Sequence, residues 1–408
     1  MKNQSKIQNP KSKIAIVGAG PAGASLAIRL ANVDFDVILI ERERFPRQKL
    51  CGEFVSPECF EHFRALGVLD EMLSVGGDRI TETIFYEPNG KNVTIPTEWF
   101  GGDVQGALGI SRAEMDFRLL EKAKKIGVKV LEETSAVDLL MENGEVCGVK
   151  VKNQSGETSE ITADFTIDAT GRAGVLGKFL RRKAANTKLI QNSKSKIQNR
   201  LVGFKAHLKN ISMNKGVCEI YFFRGGYGGL NYVEEGFGNH CFLIKAEVVK
   251  EFNGNADEIV KNVVFQNKRA FETLKDAETV YDWLAVSVDE FGRKDLSPAP
   301  RLLTVGDASA FIDPFTGSGM LMALEGAEIL AKIITEKSFA SQQISAEYKI
   351  LHKQKFQTRL RICSIMRRAA FVPSFAKFAI SALSLSAKAR ELLARSTRKT
   401  FPVSELEK

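Results

Sequence analysis

Lys13 to Glu41 (KIAIVGAGPAGASLAIRLANVDFDVILIE) constrains the fold more than any other stretch of the chain. Ile14 to Val17 form an apolar run of the kind that suits a buried parallel strand. Gly18, Gly20 and Gly23 then fill a G-x-G-x-x-G pattern, with Pro21 and Ala22 between the last two. The first glycine permits a tight turn, the second lets the backbone approach a pyrophosphate, and the third lets the helix sit close to the strand. A helix start there would offer N–H groups and a positive dipole end to the phosphate. Val37 to Ile40 read as the next strand, and Glu41 closes it. An acid about 20 residues beyond the glycine turn is placed to meet a ribose hydroxyl pair. The spacing therefore predicts a dinucleotide site without choosing the dinucleotide. The alternative is a glycine turn between strand and helix with no ligand.

A chain of 408 residues can bury the cores of two or three domains. No run approaches the roughly 18 to 20 uncharged apolar residues of a membrane span, and the start lacks the apolar core of a signal peptide. A cytoplasmic protein is expected. The six cysteines (Cys51, Cys59, Cys147, Cys218, Cys241 and Cys363) form no C-x-x-C pair, and there are four histidines. Neither a metal site nor a disulfide framework is expected. The net charge of +9 is uneven: Ala346 to Thr400 carry 13 Lys and Arg against Glu347 and Glu391. The basic excess belongs to the tail, so no nucleic-acid partner is expected.

Two near copies of a polar string, NQSKIQNPKSKI near the start and IQNSKSKIQN at 190–199, mark 1–12 and 187–199 as flexible low-complexity segments. Directly after the Glu41 strand comes a loop dense with Arg44, Arg47, Lys49, Cys51 and Glu53. Pro57 can open a helix with Ser56 as its cap. Residues 80–95 alternate as strands. Residues 110–126 read as a helix capped by Ser111, with Glu114 at the capping-box position. Asn143-Gly144 predicts a hairpin turn. Phe165 to Asp168 read as a buried strand before Thr170-Gly171. Short strands at Val202 to Leu208, Val217 to Phe223, Gly228 to Val233 and Gly238 to Ile244 resemble an antiparallel sheet inserted into an α/β chain. Ala256 to Leu274 read as one helix.

Leu302 to Val305 form a strand ending in Gly306-Asp307. A carboxylate there can hold sugar-alcohol hydroxyls. After Asp313-Pro314, the run Gly317-Ser318-Gly319-Met320 starts a long apolar helix, and a glycine-rich start can approach a flat ring closely. The alternative is an ordinary strand–helix connection whose Asp caps the helix. In the tail, Leu360, Ile362, Ile365 and Met366 lie among Arg359, Arg361, Arg367 and Arg368, and Phe371 to Leu385 are mostly apolar. This reads either as helices packed on the body, the favoured reading, or as an interfacial segment on anionic lipid.

Four motifs together resemble FAD-dependent oxidoreductases of the para-hydroxybenzoate hydroxylase fold, and among them the geranylgeranyl reductase group. They are GAGPAGASLA with Glu41, the Phe45-Pro-Arg47-Gln-Lys49-Leu-Cys51-Gly52-Glu53 loop, the SRAEMDFRLL helix with Arg112 and Asp116, and GDASAFIDPFTGSGM. The resemblance implies an α/β protein: a Rossmann-like FAD-binding domain (13–79, 110–180, 296–345), an inserted antiparallel β-sheet substrate domain (80–109, 200–295), and a C-terminal helical region (346–408). It implies that Gly18, Gly20, Pro21, Ala22 and Gly23 hold the pyrophosphate and Glu41 the adenosine ribose, with Arg42, Val137 and Gly171 also in the cofactor site. Arg112 would reach the pyrophosphate and ribityl region, Gly306 and Asp307 the ribityl chain, and Pro314, Gly317, Ser318, Gly319 and Met320 the ring. Cys51, Glu53 and Tyr227 are the candidate proton donors.

Three departures narrow the activity. The second dinucleotide motif of the hydroxylases is replaced by Asp168-Ala-Thr-Gly171. The tryptophan-rich halogenase motif is missing. The GGYGW-like stretch of prenyl reductases has Gly229 in place of the tryptophan. The expected activity is reduction of C=C bonds in a hydrophobic isoprenoid or lipid-like substrate. The alternative is a monooxygenase, and a minor one is a non-catalytic prenyl-lipid binding protein. No second complete G-x-G-x-x-G unit follows a strand, so electrons would come from transient NAD(P)H contact or an external reductant.

Overall fold

The computed structural model describes residues 12–102, 105–185, 200–288, 291–336, 341–371, 373–396 and 398. Apart from Ser12, the two low-complexity segments lie outside the described residues.

The Lys13–Val17 strand sits at the centre of a five-stranded parallel sheet, in the order Leu302–Thr304, Phe165–Asp168, Lys13–Val17, Asp36–Ile40, Lys129–Leu131. Its apolar run is continuous because both faces are covered. Ile14 and Ile16 point into a core shared with the Pro21–Ala31, Arg112–Lys125 and Gly319–Glu336 helices. Ala15 and Val17 point the other way, onto a three-stranded antiparallel sheet built from Thr134–Glu142, Glu145–Asn153 and Thr158–Thr162. The Asn143-Gly144 turn joins its first two strands, with both residues at positive φ (50° and 84°).

The second large sheet has eight strands, among them Leu201–Lys209, Gly238–Lys245, Gly226–Tyr232, Val217–Phe223, Glu82–Tyr86 and Asn92–Pro96, side by side in that order. It is antiparallel except at one seam, where Val217–Phe223 runs parallel to Glu82–Tyr86. Those two strands lie some 130 residues apart, so no tight turn dictates their direction. One face carries Phe204, Ala206, Tyr221, Leu230 and Phe242, packed against Ile259, Val263 and Ala270. The expected single helix over 256–274 is in fact two, Ala256–Asn262 and Lys268–Leu274. Asn267 breaks it: its side chain accepts from Arg269 N and Ala270 N and caps the second helix.

Three further helices, Ser341–Ala370, Pro373–Ser384 and Ala387–Ser396, close the opposite face of this sheet. Ala370 and Ile380 pack with Val93, Leu201, Phe222, Tyr227 and Leu243, while Ile344, Tyr348 and Phe356 join the core around the parallel sheet. The first helix is latched to Gly319–Glu336 by buried charge. Glu325 meets Arg359 at 2.7 Å and Lys355 at 3.2 Å. Burial pushes the Glu325 carboxyl up, but Arg359 and Lys355 more than reverse this and hold it low. The tail is therefore part of the body, as the favoured reading expected.

Candidate active site

A single cavity of about 1870 Å³ runs from the glycine turn to the eight-stranded sheet. One small-molecule pocket occupies roughly 300–1,000 Å³, so this space suits a cofactor and a second ligand together.

At one end the walls are turns leaving the parallel sheet. Gly18 has φ 105°, and a Cβ on it would stand 2.4 Å from Ala169 O. A Cβ on Gly23 would stand 1.9 Å from Gly18 O. Gly23 therefore lets the helix close on the strand and, contrary to the expected phosphate role, does not line the cavity; Gly18, Gly20, Pro21 and Ala22 do. The Glu41 carboxylate is buried and held by Ala19 N (2.8 Å) and Glu43 N (3.1 Å). Arg42 lies at the rim, 65% exposed and paired with Glu43. Residues 134–136 form the adjoining wall, whereas the Val137 side chain is 38% exposed and off the wall. Val137 is the extra residue of a bulge, between Ala136 paired with Val151 and Asp138 paired with Lys150, and the bulge re-aims it.

Arg112 opens its helix behind Ser111, whose Oγ accepts from Glu114 N at 3.1 Å. The reciprocal half of the expected capping box is absent: Glu114 pairs with Arg118, and Ser111 N donates to Glu234. The Arg112 guanidinium grips Asp116 at 2.8 and 2.6 Å, and Arg47 reaches the same carboxylate at 3.1 Å. Burial opposes the Arg112 charge, but Asp116 more than compensates.

Gly171, Gly306 and Asp307 also line the cavity. No hydrogen bond among the described residues engages the Asp307 carboxylate, and burial pushes its pKa up against the pull of Arg172 and Arg112. Asp168, by contrast, is spent within the protein, accepting from Thr170 N, Thr170 Oγ1 and Leu176 N. Pro314, Gly317, Gly319 and Met320 complete this wall, with the start of the long helix facing the space. Ser318 is fully buried behind it, accepting from Thr316 Oγ1. The donor set fits FAD: a phosphate cradle, a ribose-facing acid, an uncommitted carboxylate midway and a glycine-rich helix start.

At the other end the pleated sheet presents Phe85, Val93, Ile220, Phe222 and Leu243, and the tail helices supply Met366, Ile380, Leu383 and Leu393. Gly229 lies in the middle of this face, beside Ile220 and Cys241. Where the two ends meet stand the three expected proton donors. Cys51 is half-buried on the wall. Tyr227 is buried and its OH donates to Asp313 Oδ1 at 2.6 Å, flanked by Phe315 and Phe371. Burial and the Asp313 charge push the Tyr227 pKa well up, and burial also raises Asp313, which has Arg367 at 3.5 Å. Glu53 is fully buried between Lys205 and His207. Burial alone would raise its pKa, but the His207 hydrogen bond and the Lys205 charge hold it below the usual carboxylate range. A carboxyl kept ionised is no proton donor, so that expected role for Glu53 is withdrawn.

Sequence reasoning missed Lys205, His207, Asp313 as the Tyr227 partner, and the tail helices as cavity wall. A lysine and a histidine within the otherwise apolar run VGFKAHL were the available signal.

A nucleotide cradle on a parallel sheet, opening onto an apolar chamber under a second sheet, defines a flavoprotein oxidoreductase. The family model described as FAD binding domain matches residues 11–352, and the chain belongs to that family. It is 27% identical over 339 residues to a digeranylgeranylglycerophospholipid reductase of Methanosarcina acetivorans, covering 82% of this chain and 77% of that one. It is also 27% identical over 380 residues to a tryptophan 2-halogenase of Chondromyces crocatus, covering 90% of this chain and 69% of that one. In fold it matches the crystal structure of a geranylgeranyl bacteriochlorophyll reductase-like protein from Thermoplasma acidophilum. The TM-score is 0.73, with 18% identity over 98% of this chain and 99% of that one. The protein is an FAD-dependent oxidoreductase.

Proposed function

We propose that the protein reduces C=C bonds of an isoprenoid or lipid-like substrate. The observation that carries this reading is the apolar chamber, walled by the sheet and the tail helices, which opens directly onto the cofactor end. The reductase from Methanosarcina acetivorans, named for a geranylgeranylated lipid, supports the same substrate class. Reduced FAD supplies hydride chemistry, and the protein supplies binding, orientation and exclusion of water. In this proposal Gly18, Gly20, Pro21 and Ala22 cradle the pyrophosphate, Glu41 meets the adenosine ribose, Arg112 lies beside the phosphates, and Asp307 holds the ribityl hydroxyls. Pro314, Gly317, Gly319 and Met320 flank the ring. Phe222, Leu243, Met366 and Ile380 hold the chain of the substrate. Tyr227 holds a proton on its phenol oxygen at the junction of the two ends, with Asp313 fixing the ring's direction. Electrons come from NAD(P)H or an external reductant.

Peripheral membrane contact is part of the proposal. Ile365, Phe378 and Leu392 of the tail helices and Leu385 in the turn between two of them are 69%, 69%, 70% and 88% exposed, and Lys377 and Lys388 are exposed on the same segment. No helix among the described residues is long and apolar enough to cross a membrane.

Anaerobic reduction of the bound flavin followed by addition of polyprenyl lipids tests the reaction. Reoxidation with formation of a saturated product supports it. The monooxygenase reading is supported by a likeness to squalene epoxidase 1 of Arabidopsis thaliana, 26% identical over 334 residues that cover 79% of this chain and 59% of that one. Substrate-dependent oxygen uptake with an oxygenated product would establish that reading instead.

A further inference from the structure

The loop that carries Cys51 leaves the nucleotide cradle and lands on the eight-stranded sheet, and the landing is made of buried charge. Side chains two apart on a strand share a face. On Leu201–Lys209 the face turned to the loop carries Gly203, Lys205 and His207. Gly203 leaves room for Leu50: a Cβ there would stand 3.1 Å from Leu50 Cδ2. Lys205 Nζ donates to Gln48 Oε1 at 3.0 Å, to Lys49 O at 3.2 Å and to Glu53 Oε1 at 2.5 Å. His207 Nε2 lies 2.6 Å from Glu53 Oε2.

The neighbouring strands complete the attachment. Asn239 Nδ2 donates to Cys51 O at 3.2 Å, and Asn231 Nδ2 to Glu53 O at 3.3 Å. Glu53 Oε1 also accepts from Arg112 N at 2.8 Å. One carboxylate thus ties the sheet to the Cys51 loop and to the start of the Arg112 helix. Well-packed apolar residues often do as well as a buried ion pair where stability alone is at stake. Glu53 moreover adopts φ 51°, a left-handed conformation that is uncommon for a residue with a Cβ.

We propose that Glu53, held by Lys205 and His207, is a positioning residue that sets where the Cys51 loop and the Arg112 helix start stand against bound FAD. The substrate sheet is thereby joined mechanically to the cofactor site. This holds for a reductase and for a monooxygenase alike, so it does not depend on which reaction is run.

The test reads the loop directly. Cys51 is alkylated with iodoacetamide in FAD-free and FAD-bound protein, and the rate is followed by peptide mass spectrometry with Cys147 as internal reference. The midpoint potential of the bound flavin is measured in parallel. Glu53→Gln keeps the shape and removes the charge. The expected result is Cys51 alkylation faster by about tenfold, the scale of one lost charge-assisted hydrogen bond, together with a shifted flavin potential. Asn267→Ala, which loosens the far side of the same sheet, should leave both readings unchanged despite lower stability. If Glu53→Gln does not fold, His207→Gln probes the same contact from the strand and should raise the Cys51 rate in the same direction. Wild-type Cys51 reactivity and flavin potential in whichever of these variants folds would overturn the proposal.

Discussion

The cofactor end of the cavity is framed by turns that leave a parallel sheet, at Gly18, Gly171 and Gly306, and by the turn at Gly317 before the long helix, whereas the substrate end is framed by a pleated sheet face and three helices. The first needs backbone approach, so its determinants are glycines and short polar side chains. The second needs volume, so its determinants are side-chain sizes spread over distant strands. The contrast extends to the buried carboxylates near the junction. Glu53 is surrounded by donors and stays ionised, while Asp313 has one phenol, one backbone N–H and a more distant arginine and is pushed toward its neutral form. The end that fixes the loop is charged, and the side adjoining the apolar chamber disfavours charge.

The seam between the two ends should give the largest effect. Arg359→Met leaves Glu325 buried with Lys355 alone and should cost about 3–5 kcal/mol in urea unfolding. Equal stability would mean that the tail is not latched as described. Next comes Gly23→Val, which breaks the cofactor end: it should cost about 3 kcal/mol and yield protein without yellow colour. Met366→Trp, on a tail helix, should fill only the substrate end. FAD retention stays as in the unaltered protein, and reoxidation by a polyprenyl lipid falls about a hundredfold.

The carboxylates give smaller effects of opposite sign. Glu53 has a lowered folded pKa, so its contribution to stability is present above the ordinary Glu value and is lost as the pH falls through the folded value. Asp313 has a raised folded pKa, so its contribution is present below the ordinary Asp value and is lost as the pH rises through the folded value. At neutral pH, Glu53→Gln should therefore destabilise by about 1.5–3 kcal/mol. Asp313→Asn should destabilise less, or stabilise, and urea midpoints at pH 7 and pH 4 would show the Glu53→Gln deficit shrinking in acid. Smallest of all, Arg42→Ala removes a rim charge and should change FAD affinity by no more than about 1 kcal/mol in a titration.

The cofactor end was legible in sequence because its determinants are local. Ile14 to Glu41 contain strand, turn, helix and acid within one stretch, and Asp307 to Met320 contain the other wall. Ser111 announced its helix correctly, although Glu114 turned to Arg118 once tertiary charges were available. The substrate end was legible only as strands. Glu53 looked like a proton donor because Lys205 and His207, which fix its charge, lie about 150 residues away on a strand whose alternation does not say what it faces. Asn267 resembled a helix-interior polar residue until its cap role showed, and the tail, though read first as packed, also fitted a membrane segment because both need the same amphipathic pattern.

The central claim is that one cavity joins FAD to an apolar substrate which the reduced cofactor reduces without oxygen. The most direct measurement follows the visible absorbance of the anaerobically reduced protein after mixing with a polyprenyl lipid, with Met366→Trp alongside. The account predicts stoichiometric reoxidation and a saturated product in the unaltered protein, and neither in the variant, although both carry FAD. Reoxidation that waits for oxygen and yields an oxygenated product would contradict it.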